Sequence, residues 1–261
     1  MKSLLSLLTF GLLAVTSVAA DKPDTRLFEM RVYYAAEGKL DALNARFRDH
    51  TLKLFEKHGM TNLGYFVPTK NTENKLVYFL AYADRAARDA SWKAFGADPA
   101  WKAAQKASEV NGKLITKVEA AFLTATDYAV LAEAKSYGKG VFELRTYTTE
   151  AGRLDNLNAR FRDHTLNLFE KHGMTNMTYW NLAADQKGAK NAYVAGNTLI
   201  YLLHHQSEEA AKASFDAFRA DPAWVAAKEA SEKKAGGSLT IAQPNGVKSE
   251  FLTSTDYSPV K

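Results

Sequence analysis

The pattern Glu-x-Arg-x-Tyr occurs twice in the chain, as Glu29, Arg31 and Tyr33 and as Glu143, Arg145 and Tyr147. Each set lies in an alternating stretch rich in β formers, "LFEMRVYY" and "VFELRTYT", so its three side chains share one face of a strand. A carboxylate beside a guanidinium and a phenol suits two roles. It can bind an anion or move a proton in a cavity, or it can form a satisfied ionic network that fixes how two sheets pair. The other strand face carries Phe28, Met30, Val32 and Tyr34, with Phe142 and Leu144 in the second set. That apolar face is expected to pack on helices, leaving the polar sets to face a barrel interior, where they must be paired.

Three histidines join these residues as candidates. His50 and His164 each stand in "RDHT", at the edge of a helical apolar stripe. There they could act as a general base or a haem ligand, or simply be hydrogen-bonded beneath a loop. His205 arises from an asymmetry: "YFLAYAD" aligns with "YLLHHQS", so Ala81 and Tyr82 become His204 and His205. One member of a pair of domains can keep a working site that the other loses. A surface histidine pair is the simpler alternative. His58 and His172 precede a helix-ending glycine, where positive charge suits the helix dipole. HExxH, G-x-S-x-G, phosphate loops and cysteine are all missing from the sequence, so these motifs identify no catalytic set, metal or cofactor. Trp92, Trp101 and Trp224 read as core, and Trp180 as a possible aromatic wall.

These residues are held by a duplicated unit. "LNARFRDHTLKLFEKHGMTN" from Leu43 to Asn62 returns from Leu157 to Asn176 with one change, Lys53 to Asn167. Further matches are "FGADPAWKAAQKASE" with "FRADPAWVAAKEASE", and "FLTATDY" with "FLTSTDY". The second copy carries extra residues near 184–197 and 236–244, lengths that belong in loops. Each copy reads strand, helix, strand, strand, helix, strand. The first helix spans Gly38 to His58, with Leu40, Leu43, Phe47, Thr51, Leu54 and His58 on one stripe. Asp84 is expected to cap the next helix, and Asp98-Pro99 to restart it.

The order βαββαβ predicts an α+β fold of two ferredoxin-like domains, 26–129 and 140–258, joined by a linker over 130–139. Such a unit leaves one sheet face open, so the two copies should cover each other, packed sheet to sheet as a pseudo-dimeric α/β barrel. That explains a duplication, but not the near identity of the repeated helix, since cores tolerate apolar swaps.

Residues 1–20 have a short basic start, an apolar run and small residues at Val18 and Ala20, the pattern of a secretory signal peptide. The expectation is an exported protein, periplasmic or secreted, with a mature chain starting at Asp21 and no transmembrane segment after processing. The net charge is +5 and becomes +4 once Lys2 is removed. Its basic residues are scattered among acids, which excludes a nucleic-acid footprint.

The stretches "FEMRVY", "FRDHTLKLFEKHG" and "AARDASWKAFGADPAW", and their second-copy counterparts, resemble the NIPSNAP family over nearly the whole mature chain. The resemblance implies a dimeric α/β-barrel architecture. The wider superfamily holds haem enzymes, cofactor-free oxygenases and proteins without known activity, and no agreed catalytic residues transfer. Mitochondrial members are associated with membrane traffic and mitophagy signalling, a setting the leader does not match. The reading is therefore an exported binder of a small molecule or protein partner, acting as a monomeric pseudo-dimer or a homo-oligomer. The alternative is a haem-dependent or cofactor-free oxidoreductase using the barrel interior.

Overall fold

The computed structural model describes residues 24–129, 136–186 and 195–261. The expected leader and residues 130–135 of the expected linker lie outside them. In the first copy, β1 (Leu27–Ala35) leads into a helix of three contiguous pieces: α1 (Leu40–Arg46), a π-helical turn (Phe47–Thr51) and α2 (Leu52–Lys57). Then come β2 (Thr61–Pro68), β3 (Lys75–Tyr82), α3 (Arg85–Ala97), α4 (Pro99–Ser108) and β4 (Ile115–Ala125). The second copy repeats this with β5 (Val141–Thr148), α5 (Leu154–Arg160), a π turn (Phe161–Thr165) and α6 (Leu166–Lys171). It continues with β6 (Thr175–Leu182), β7 (Thr198–His205), α7 (Glu208–Ala220), α8 (Pro222–Ala235) and β8 (Val247–Ser254).

The eight strands close into one antiparallel barrel in the order β1-β3-β2-β8-β5-β7-β6-β4. Within a copy the strands pair over long registers, Leu27 opposite Tyr82 through Tyr34 opposite Lys75 for β1 and β3. The two seams between copies are short. At one, Phe66, Val67 and Pro68 meet Ser254, Thr253 and Leu252. At the other, Leu123, Thr124 and Ala125 meet Leu182, Asn181 and Trp180.

The interior reverses the expected strand faces. Phe28, Met30, Val32, Phe66, Phe79 and Ala121 from the first copy pack there against Phe142, Leu144, Trp180, Leu202 and Leu252 from the second. Trp180 stacks on Phe79 at 5.1 Å, so it is core rather than a cavity wall. An eight-stranded barrel is just wide enough for side chains to fill, and an ion inside would be cut off from water and from charged partners. On the outer face, the charged triplets meet helices that can bring charges to them. The apolar strand face therefore takes the inside and the triplets the outside.

The seams also account for the repeated helix. Tyr257, just past β8, donates a 2.8 Å hydrogen bond to Asn44 Oδ1, and Arg48 pairs with Asp256 at 2.7 Å. In reverse, Tyr128 donates to Asn158 Oδ1 at 2.8 Å and Arg162 pairs with Asp127 at 2.7 Å. Each copy's "TDY" tail thus docks on the other copy's "NARFR" segment. The exposed ion pairs add little, but the half-buried tyrosines fix both sequences at once.

The π turn was not visible in the helical periodicity. Leu52 N–H donates to Phe47 O, an i to i+5 bond, and the Thr51 hydroxyl donates to Arg46 O at 3.1 Å. Leu43, Phe47, Thr51 and Phe55, spaced four apart, are buried, with Arg46 beside them. In a regular helix each such step drifts about 40° from its predecessor. One wider turn takes up the drift and keeps all four facing the sheet. Leu54, read as part of the stripe, is half-buried instead.

Candidate functional site

Glu29, Arg31 and Tyr33 lie on the outer face of β1, beneath α3. Glu29 is fully buried. Its carboxylate accepts from Arg31 Nη1 at 2.6 Å, from Arg88 Nη2 and Nε at 2.9 and 3.1 Å, and from the Tyr82 hydroxyl at 2.9 Å. Trp92 Nε1–H donates to Tyr82 Oη at 2.8 Å, and the Arg31 guanidinium lies 4.3 Å from the Trp92 ring centre. Burial alone would raise the Glu29 pKa, but Arg88 and Arg31 outweigh it and hold the carboxyl below its usual value. The Arg31 guanidinium is held above its usual range despite burial, by Tyr78, Tyr33 and Glu29.

Glu143, Arg145 and Tyr147 repeat the arrangement with different partners. Glu143 accepts from Arg145 at 2.5 Å and from Ser249 Oγ at 2.5 Å, and it pairs with His205 Nε2 at 2.9 Å. His205 therefore stands where Tyr82 stands and makes the same contact with the strand carboxylate. The second copy has Ala211 for Arg88, Phe215 for Trp92 and Ser249 for Ala120. Burial works to raise the Glu143 pKa, but His205, Arg145 and Ser249 bring it below its usual value. The carboxylate sits between serine and histidine, so the histidine does not touch the hydroxyl and no nucleophile–base pair forms.

His50 and His164 are not part of either cluster. Both are exposed on the outer side of their π turns, because the wider turn shifts them off the inward stripe. His164 borders a shallow groove of about 170 Å³ between α5 and α8.

Among the described residues, the barrel interior shows no cavity of ligand size either. Its free space is about 20 Å³, between Leu63, Phe66, Phe79, Trp180 and Leu202, room for roughly one water. Haem does not fit in that space.

Among the described residues, a larger cleft lies outside the barrel in the first copy. It holds about 450 Å³ between the sheet, the π turn and the α3–α4 pair. Tyr33, Phe47, Phe55, Trp92, Phe95 and Trp101 give it six aromatic walls. Of the sequence candidates, Tyr33 alone lines it. Arg46, Glu109 and Lys113 are its charged lining residues. Arg46 is 4% exposed, and its Nη1 donates to Ser108 Oγ at 3.2 Å and to Glu109 Oε1 at 3.0 Å. Its Nε is buried with no hydrogen-bond partner among the described residues. The π turn supplies Phe47 and Thr51 and anchors Arg46, in keeping with the frequent use of such turns at functional sites.

Among the described residues, the second copy does not reproduce the cleft. Arg219 stands where the first copy has Gly96. A 250 Å³ hollow remains, lined by Arg219, Trp224, Val225, Lys228, Glu229 and Glu232. It does not extend to Tyr147, Phe161 or Phe215 on the sheet side. Gly96 lines the first copy's cleft, and a Cβ there would meet nothing within 4 Å. The glycine serves space at the mouth, not backbone freedom. A comparison of "FGADPAW" with "FRADPAW" could have found it.

A family model described as NIPSNAP matches residues 28–130 and 142–259. No curated protein matches the chain. Among solved structures, an uncharacterized NIPSNAP domain protein from Burkholderia xenovorans is 27% identical, covering 38% of this chain and 94% of its own, with a TM-score of 0.34. A NIPSNAP family protein from Agrobacterium tumefaciens is 22% identical over 40% of this chain and 95% of its own, TM-score 0.36. An anthrone oxidase-like protein is similar over 90% of this chain and 94% of its own at 11% identity, TM-score 0.55. That last likeness is one of fold.

Proposed function

From the premise that this chain belongs to the NIPSNAP family, we propose that it is a non-catalytic binder of a small molecule, held in the first copy's aromatic cleft. The observation that carries this reading is the cleft itself, whose volume of about 450 Å³ lies in the range of small-molecule sites. Its asymmetry supports the same reading: Gly96 at the mouth is Arg219 in the second copy, and Trp92 and Gln105 of the lining are Phe215 and Lys228 there. The chemistry of the clusters argues for binding over catalysis. Glu29 is held ionised by Arg88 and Arg31, and Glu143 by His205 and Arg145, and a carboxylate so held exchanges protons poorly near neutral pH.

The two halves are taken as ferredoxin-like domains joined by the 130–139 linker, and the chain as exported after cleavage behind Ala20. N-terminal sequencing of the secreted or periplasmic protein should begin at Asp21, and a retained Met1 would contradict export by this leader. For binding, the test is native mass spectrometry of the chain from its own source. Wild type should carry an adduct of small-molecule mass, and Gly96→Arg should lose it. Identical spectra for the two proteins would sink the proposal.

A further inference from the structure

Resting on the reading that the first copy's cleft holds a small molecule, we infer that this molecule is a carboxylate with a flat aromatic body. Its charge sits at Arg46 and Lys113, and its body lies against the rings of Trp92, Phe95 and Trp101. The charged lining residues are two cations and one carboxylate, Arg46 and Lys113 against Glu109, so the cleft has a positive excess. Arg46 is the more telling of the two. A guanidinium carries five N–H donors, and this one, nearly out of solvent, satisfies two acceptors through Nη1 while Nε has none among the described residues. Buried donors without acceptors are costly. A ligand carboxylate in place of Glu109 would supply two acceptor oxygens in the geometry a guanidinium fork matches.

The walls select the rest of the molecule. Phe95 lies 4.4 Å from Trp101 and 5.7 Å from Trp92, centre to centre, and the Arg46 guanidinium is 5.2 Å from the Trp101 ring. The cation therefore borders an aromatic surface on which a flat ring system can stack. A small hydrated oxyanion would leave these rings uncovered, and a cationic ligand would face Arg46 unpaired. Glu109 is the internal competitor, since it holds Arg46 in the empty cleft at 3.0 Å with its own side chain 22% exposed.

The experiment is isothermal titration of the full chain with 2-naphthoate and with its neutral isostere 2-naphthamide. Three proteins are compared: wild type, Glu109→Gln and Gly96→Arg. Wild type should bind 2-naphthoate at least tenfold more tightly than 2-naphthamide. Glu109→Gln should tighten 2-naphthoate several-fold, because it removes the competing charge, and leave 2-naphthamide unchanged. Gly96→Arg should abolish both. Equal affinity for the two ligands, or no effect of Glu109→Gln, overturns the carboxylate inference; if Gly96→Arg still abolishes binding, the cleft reading survives. Binding that Gly96→Arg does not change overturns both. Absence of binding by either ligand overturns the aromatic carboxylate.

Discussion

Gly96 and Arg219 occupy the same position in α3 and α7, each the residue before the alanine that precedes an Asp-Pro helix restart. The first copy is open at this point and the second is covered. Arg219 pairs with Asp216 at 2.5 Å on the surface, an exposed pair that contributes little to stability. Arg219→Gly should therefore cost less than about 1 kcal/mol, chiefly through the helix propensity of glycine. It should also open a second site, raising the stoichiometry of 2-naphthoate binding from one to two per chain. A stoichiometry that stays at one would show that Gly96 alone does not make the site and that the other lining differences, Phe215 for Trp92 and Lys228 for Gln105, also deny it to the second copy.

Arg31→Leu tests the buried carboxylate. Glu29 is fully buried, and Arg31 is one of two guanidiniums on it. Breaking a buried pair costs about 3–5 kcal/mol, and because Arg88 remains, the lower figure of about 3 kcal/mol is expected. Thermal unfolding should register a drop of roughly 6–12 °C for a chain of this size. Glu29→Gln combined with Arg31→Leu should recover part of it. No loss in the single variant would mean the network does not hold the sheet to α3.

Strand alternation made the two faces of β1 and β5 legible, and the order of strands and helices in each copy matches the reading. Which face turns inward did not. Alternation separates Glu29, Arg31 and Tyr33 from Phe28, Met30 and Val32, but both sets could pack against something. The decision lies in the closure of the barrel, which depends on seams of three residue pairs far apart in sequence. The histidines failed for a local reason: the π turn moves His50 and His164 outward, and a stripe drawn at 3.6 residues per turn cannot show it. The cleft was missed because its walls come from β1, the first helix, α3, α4 and β4, and its opening from a glycine.

Acid should destabilise the protein through His204 before it reaches the carboxylates. His204 points into the barrel end beside Phe142 and Tyr137, and burial, with His205 nearby, lowers its pKa. The unfolded chain then takes up a proton below about pH 6.5 that the folded chain resists. Stability from this residue is present above that pH and declines as pH falls below it. Glu29 and Glu143, with lowered folded values, add a second loss only below about pH 4.3. Denaturant titrations from pH 7.5 to 5 should show falling stability, with a flatter slope in His204→Phe. The same slope in both proteins would remove His204 as the source.

Residues 26–129 expressed alone should associate or aggregate. The interior faces of β1 to β4 carry Phe28, Met30, Phe66, Phe79 and Leu123, all at most 2% exposed in the full chain. Isolation would leave them in water and uncover the edges of β2 and β4. Sedimentation of the fragment should find dimers or larger species. A well-folded monomer would contradict the closed barrel as the unit of stability.

The reciprocal docking of each "TDY" tail on the other copy's helix has a consequence for how this molecule can evolve. Two separate chains of one copy could assemble through the same contacts, but each mutation would then appear on both sides of the axis. A glycine-to-arginine change at the cleft mouth would close every site in the assembly. Covalent fusion removes that constraint. The shared docking surface must stay alike in both halves, which is where the sequence is repeated almost letter for letter. The cleft mouth, which touches no seam, is free to be kept in one half and surrendered in the other.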